Sequence, residues 1–65
     1  MNIVSAKYLY DIEGVNKTHI LVDLGNNIKK SIPIKEGNID YQEIQEWIAD
    51  GGTVIDNGGV NNGNN

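Results

Sequence analysis

The chain has 65 residues, with five lysines and no arginine against nine acidic side chains, a net charge of −4, one histidine and no cysteine. This length holds one domain at most, and the missing thiols exclude disulfides and thiolate metal sites. An acidic balance with no basic stripe argues against nucleic-acid binding, which draws its affinity from neutralised phosphates.

Residues 3–10, IVSAKYLY, alternate with period two. Val4, Ala6, Tyr8 and Tyr10 share one face, and Ile3, Ser5, Lys7 and Leu9 share the other, which predicts a strand. DIEGVN at 11–16 has turn chemistry in Asp11, Gly14 and Asn16. KTHILVDL at 17–24 alternates again, with Thr18, Ile20, Val22 and Leu24 opposite Lys17, His19, Leu21 and Asp23. Gly25, Asn26 and Asn27 suit the positive φ of a tight hairpin. IKKSIPI at 28–34 places Ile28, Ile32 and Ile34 on one face. Pro33 lacks an N–H, so this third run belongs at an edge or ends near the proline.

A helix is predicted over about 40–50, DYQEIQEWIAD, with Asp40 and Glu43 as an acidic capping box or Asn38 as the alternative N-cap. Tyr41, Ile44 and Ile48 form its apolar stripe with Trp47 beside them. Gly51 suits the left-handed residue that ends a helix. Thr53, Val54 and Ile55 suit a short strand or a docking clip. From Asp56 onward only Val60 is apolar, and such a stretch buries too little to offset its ordering entropy.

The expected fold is therefore α+β. A three-stranded antiparallel meander, order 1-2-3, is packed by one C-terminal helix (βββα), with a flexible Gly/Asn-rich tail. One domain covers residues 1–55 and the tail covers 56–65. Short links between strands imply antiparallel neighbours, and a three-stranded sheet with one apolar face needs a cover. The expected core face carries Val4, Ala6, Tyr8, Ile20, Val22, Leu24, Ile28, Ile32 and Ile34.

No catalytic constellation emerges. His19 is mid-strand, and Ser5 could approach it on the outer face, but that pair lacks an orienting third group and an oxyanion hole. Asp11, Glu13 and Asn16 offer oxygen ligands in one loop, yet match no EF-hand spacing and read as a polar turn. Glu43, Glu46 and Asp50 read as a solvated helix face. The glycine pairs form no phosphate loop. The expectation is a non-enzymatic protein without cofactor or metal, with no membrane-spanning segment and no signal peptide.

Trp47 has two readings, the anchor of a small core or a partner-facing hot spot. Tyr8, Tyr10 and Tyr41 share that ambiguity. One helix cannot cover both faces of a sheet, so the outer face is either solvated or meets another molecule. The candidate partner-binding residues are Trp47, Tyr41, Leu9, Leu21, Val54 and Ile55.

Two segments carry a family likeness. IPI followed by GNIDYQEIQEWIADGGTV, and SAKYLYD near the start, resemble the corresponding parts of small uncharacterised tailed-bacteriophage proteins of the tail and tail-fibre-associated type. In those proteins a Val-Pro-Ile or Ile-Pro-Ile strand leads through an asparagine to a Tyr-x-Glu-Ile helix ending in Trp-x-Ala-x-Gly and a threonine. The likeness covers residues 5–55; the family's usual acidic or alanine-rich ending is replaced here by DNGGVNNGNN. It implies a phage structural or assembly protein that binds tail, fibre or capsid subunits, or itself, in the virion or the host cytoplasm. The alternative is a small acidic phage regulator that binds a host protein.

Overall fold

The computed structural model describes residues 1–58. Its elements are β1 (Ser5–Tyr10), β2 (Lys17–Asp23), β3 (Lys29–Pro33), α1 (Ile39–Ala49) and β4 (Val54–Ile55). The α+β class holds, and β1, β2 and β3 are antiparallel neighbours with β2 in the middle as expected, but the sheet is not limited to three strands and the helix is not the last element. The sheet has four strands in the order β3-β2-β1-β4, and the helix lies between β3 and β4. β1–β2 and β2–β3 are antiparallel, while β4 runs parallel to β1, pairing Ala6 with Val54 and Lys7 with Ile55. The physical reason is the helix, which carries the chain back across the sheet. A strand leaving it therefore arrives parallel to β1 and takes that strand's open edge.

The β2–β3 hairpin follows from its turn residues. Asn26 and Asn27 both have positive φ, at 55° and 65°, and the Ile28 N–H donates to the Gly25 carbonyl at 2.9 Å. Positive φ at both central positions is the type I′ geometry whose twist matches the flanking strands. The β1–β2 connection is clamped by Asp11, whose carboxylate accepts from the Val15 N–H at 3.0 Å and from Asn16 Nδ2 at 3.1 Å. The Val15 amide is the main reason the Asp11 carboxyl is held below its usual range. Both carboxylate oxygens are thus engaged within the turn.

The core consists of Ala6, Ile20, Val22, Ile32 and Ile44, with Ile3, Tyr8, Leu24, Ile34, Tyr41, Trp47, Ile48 and Val54 packed around it. Ile3, expected on the outer face, is on the core side instead, because the chain bends at Val4 and the strand alternation begins only at Ser5. Two expected core residues are out of it: Val4 is 67% exposed and Ile28 54%. Val4 lies in a bend before β1 begins. Ile28 flanks the type I′ turn, outside β3. Tyr10 also departs from simple alternation, because the register slips between Leu9 and Tyr10, which pairs with Lys17 rather than Thr18.

The helix spans 39–49 rather than 40–50, and its N-cap is Asn38, not Asp40. Asn38 Oδ1 accepts the Tyr41 N–H at 2.9 Å. Asp40 instead receives Lys30 Nζ at 2.9 Å, which ties the first helical turn to β3. Lys30 pairs with Val22 in register, so it occupies a helix-side position at the margin of the core. The helix ends in a full Schellman motif. The Gly51 N–H donates to Ile48 O at 3.0 Å and the Gly52 N–H to Trp47 O at 2.9 Å, with Gly51 at φ 110°. Gly52 lies directly against the Trp47 indole, so a methyl group there would overlap its ring carbons.

Candidate functional site

The pairing registers divide the predicted partner-binding residues into two groups. Paired residues share a sheet face, so Leu21 stands beside Lys7 and Ser31, Leu9 beside His19 and Pro33, and Ile55 beside Lys7. Leu9, Leu21 and Ile55 therefore meet on the face turned away from the helix. Trp47, Tyr41 and Val54 pack on the opposite side, around the core. Of the two readings of Trp47, the core position is the one its surroundings match: it is half-buried, with Gly52 against its ring. Tyr41 also borders a shallow recess of about 260 Å³ with Glu36, Gln42 and Gln45.

The outer face has a depression of about 160 Å³ lined by Ser5, Lys7, Leu21, Asp23, Lys29 and Ile55. Its floor is aliphatic and its rim carries both signs of charge. Ile55 is 49% exposed, and among the described residues no second layer lies over this face. Asp23 is held in place by the Gly25 N–H, which donates to its Oδ1 at 2.8 Å. The charged rim of Lys7, Asp23 and Lys29 was absent from the sequence-based set. Period-two alternation placed Lys7 and Asp23 on the outer face, and only the registers bring Lys29 to them.

Ser5 and His19 do not come together. Ser5 pairs with Asp23 and His19 with Leu9, so Ser5 and His19 stand four residues apart along the sheet, about 13 Å. That spacing rules out the Ser5–His19 approach considered from sequence, because proton transfer needs hydrogen-bond reach. His19 Nδ1 instead lies 2.9 Å from Thr18 Oγ1. Among the described residues no group of three or more His, Asp or Glu side chains could hold a metal ion, and no helix is long and apolar enough to cross a membrane.

A polar cluster that sequence reasoning missed lies at the far end of β1. The Tyr10 hydroxyl donates to Asp56 Oδ1 at 2.6 Å, and Lys17 Nζ lies 3.3 Å from Asp56 Oδ2. Lys17 also stands 4.2 Å above the centre of the Tyr8 ring. The hydrogen bond to the Asp56 carboxylate is the largest cause pushing the Tyr10 phenol up to about 12. The same bond, with the Gly58 amide and Lys17, holds the Asp56 carboxyl below its usual range. Asp56 heads the predicted mobile tail, yet it is fastened to the domain; Val60 and the rest of 59–65 lie outside the described residues. Only the parallel docking of β4 brings Asp56 to Tyr10, and no local pattern announces it.

The loop between β1 and β2 presents a second apolar feature. Ile12 is fully exposed and Val15 largely so, on a turn stiffened by Asp11. Neither was singled out from the sequence.

No protein-family model matches this chain, and neither does any curated protein or solved structure compared with it.

Proposed function

We propose that this chain is a non-enzymatic bacteriophage structural or assembly protein that binds tail, fibre or capsid subunits through the outer face of its sheet. The observation that carries the binding mode is the pairing register. It gathers Leu9, Leu21 and Ile55 on a sheet face that has no second layer among the described residues. A two-layer domain leaves one sheet face without internal cover, and aliphatic floors rimmed by charge suit protein partners. The phage assignment is supported by the resemblance of residues 5–55 to small tailed-phage proteins. In this reading the protein resides in the virion, or in the host cytoplasm while particles assemble.

Mass spectrometry of purified particles, with pulldown of virion proteins by the tagged chain, tests the proposal. The expected result is the chain in particles at a fixed ratio to one virion subunit, which it also captures in isolation. Its absence from particles together with failure to bind any virion protein would refute the reading. Co-purification with a host polymerase or nuclease instead would favour the acidic-regulator alternative.

A further inference from the structure

We propose that the open edge of β1 is a docking groove for an extended acidic peptide, filled in the free protein by the chain's own residues 54–58. The inference rests on the Tyr10–Lys17–Asp56 geometry and does not depend on the phage reading.

The segment after the helix is fixed at its root and held lightly beyond it. Its root is Gly52, bound through its N–H to Trp47 O at 2.9 Å and pressed against the indole. Its middle is a ladder of only two pairs, Ala6 with Val54 and Lys7 with Ile55. Its tip is the Asp56 carboxylate, received by the Tyr10 hydroxyl at 2.6 Å and by Lys17 at 3.3 Å. Lys17 and Asp56 side chains are each 42% exposed, and exposed ion pairs hold weakly. A two-residue ladder also has far less cooperative support than the six-pair β1–β2 and five-pair β2–β3 ladders.

The seat defines what it accepts. Val54 packs at the margin of the core, Ile55 lies on the outer face, and the next residue delivers a carboxylate to Tyr10 and Lys17. A competing strand would therefore carry two aliphatic residues followed by Asp or Glu and run parallel to β1. Backbone pairing would supply affinity and the acid would supply register, as in other strand-addition complexes. The resident segment competes from the same chain, with an effective concentration in the millimolar range (~mM) for a short tether. Weakening its grip should open the groove.

The occupant and the seat can be altered separately. Asp56→Ala removes the resident acid and leaves Tyr10 and Lys17 free. Tyr10→Phe and Lys17→Met remove the seat. The probe is a synthetic peptide of residues 53–58, titrated into the full-length chain while backbone amide shifts are followed by NMR. The expected result is that Asp56→Ala responds at Lys7, Tyr10 and Lys17 at a peptide concentration at least about tenfold lower than wild type does, the scale of one charge-assisted contact. A peptide with Ala in place of its Asp should lose that advantage, and so should the Asp56→Ala/Lys17→Met double variant, whose changes are both on exposed side chains. Equal responses from Asp56→Ala and wild type, or an Asp56→Ala response that survives both Tyr10→Phe and Lys17→Met, would overturn the proposal. A doubled mass of Asp56→Ala by light scattering, with no peptide response, would also overturn it, because the groove would then serve a second copy.

Discussion

On the helix side of the sheet, Ile20, Val22 and Ile32 are closed over by Ile44. On the other side, Leu9, Leu21 and Ile55 stand among Lys7, Asp23 and Lys29 with no second layer among the described residues. The same alternating runs supply both faces, so the strands do not decide which one is sealed. The helix does, by covering one face with Tyr41, Ile44, Trp47 and Ile48. The comparison separates two kinds of aliphatic residue: those whose loss unfolds the domain and those whose loss leaves the fold and removes a contact surface.

The largest effect expected is at Ile44. It is 0% exposed, and Ile44→Ala should cost about 2–5 kcal/mol, the range for truncation in a packed core. In a domain this small that is a large share of total stability, so urea unfolding followed by circular dichroism should show a much lower midpoint or no folded baseline. Leu21→Ala, on the outer face, should shift the midpoint far less.

Gly52→Ala strains the helix exit, on the sealed side of the sheet. The added methyl would meet the indole, so Trp47 must move. The expected cost is about 1–3 kcal/mol, typical of overpacking, with a shift in tryptophan emission. Unchanged emission and stability would mean that the helix end is not fastened by the Gly52–Trp47 contact.

Much of the helix side was readable before any coordinates. Strands at 5–10, 17–23 and 29–33 follow the alternation, and Tyr41, Ile44, Trp47 and Ile48 follow the helical stripe. Helix entry was readable only as a choice: Asn38 and Asp40 are both good caps, and in the structure Asn38 takes the Tyr41 N–H while Asp40 is engaged by Lys30 of the preceding strand. β4 was readable only as one of two options, a short strand or a docking clip, and its pairing with β1 was not readable. Two residues give no periodicity, and their place depends on where the helix returns the chain. The Tyr10–Lys17–Asp56 cluster was hidden for the same reason, as was the divergence of Trp47 and Tyr41 from Leu9, Leu21 and Ile55. Val4 and Ile28 matched the pattern but lie outside the strands, Val4 in the bend before β1 and Ile28 beside the type I′ turn.

A smaller loss is expected from Asn38→Ala, about 0.5–2 kcal/mol for removal of a capping oxygen, seen as a modest fall in the urea midpoint. Asp40→Ala should leave the cap hydrogen bond intact and cost less, since it breaks an exposed ion pair.

The smallest effect is the pH response of the far end of β1. The Asp56 carboxyl is depressed, chiefly by the Tyr10 hydroxyl, so its contribution is present above the ordinary carboxylate range and is lost as pH falls through its lowered value. The Tyr10 phenol is raised from 10.0 to about 12, so its contribution is complete below the unfolded value and is lost as pH rises through about 12. The hydroxyl–carboxylate contact should thus persist across the neutral range. Ultraviolet absorbance titration should show one of the three tyrosines ionising late. In Asp56→Ala that late transition should move back toward the others, and a late transition that stays in place would show that Asp56 is not its cause.

The most direct test of the division between the two faces is Leu21→Glu, measured both for thermal unfolding and for capture of virion proteins by pulldown. The expected result is a melting temperature close to wild type, because Leu21 faces away from the helix, together with loss of the captured subunit, because a charge would stand in the aliphatic floor of the outer face. A Leu21→Glu chain that unfolds like Ile44→Ala, or one that stays folded and captures the same subunit as wild type, would contradict it.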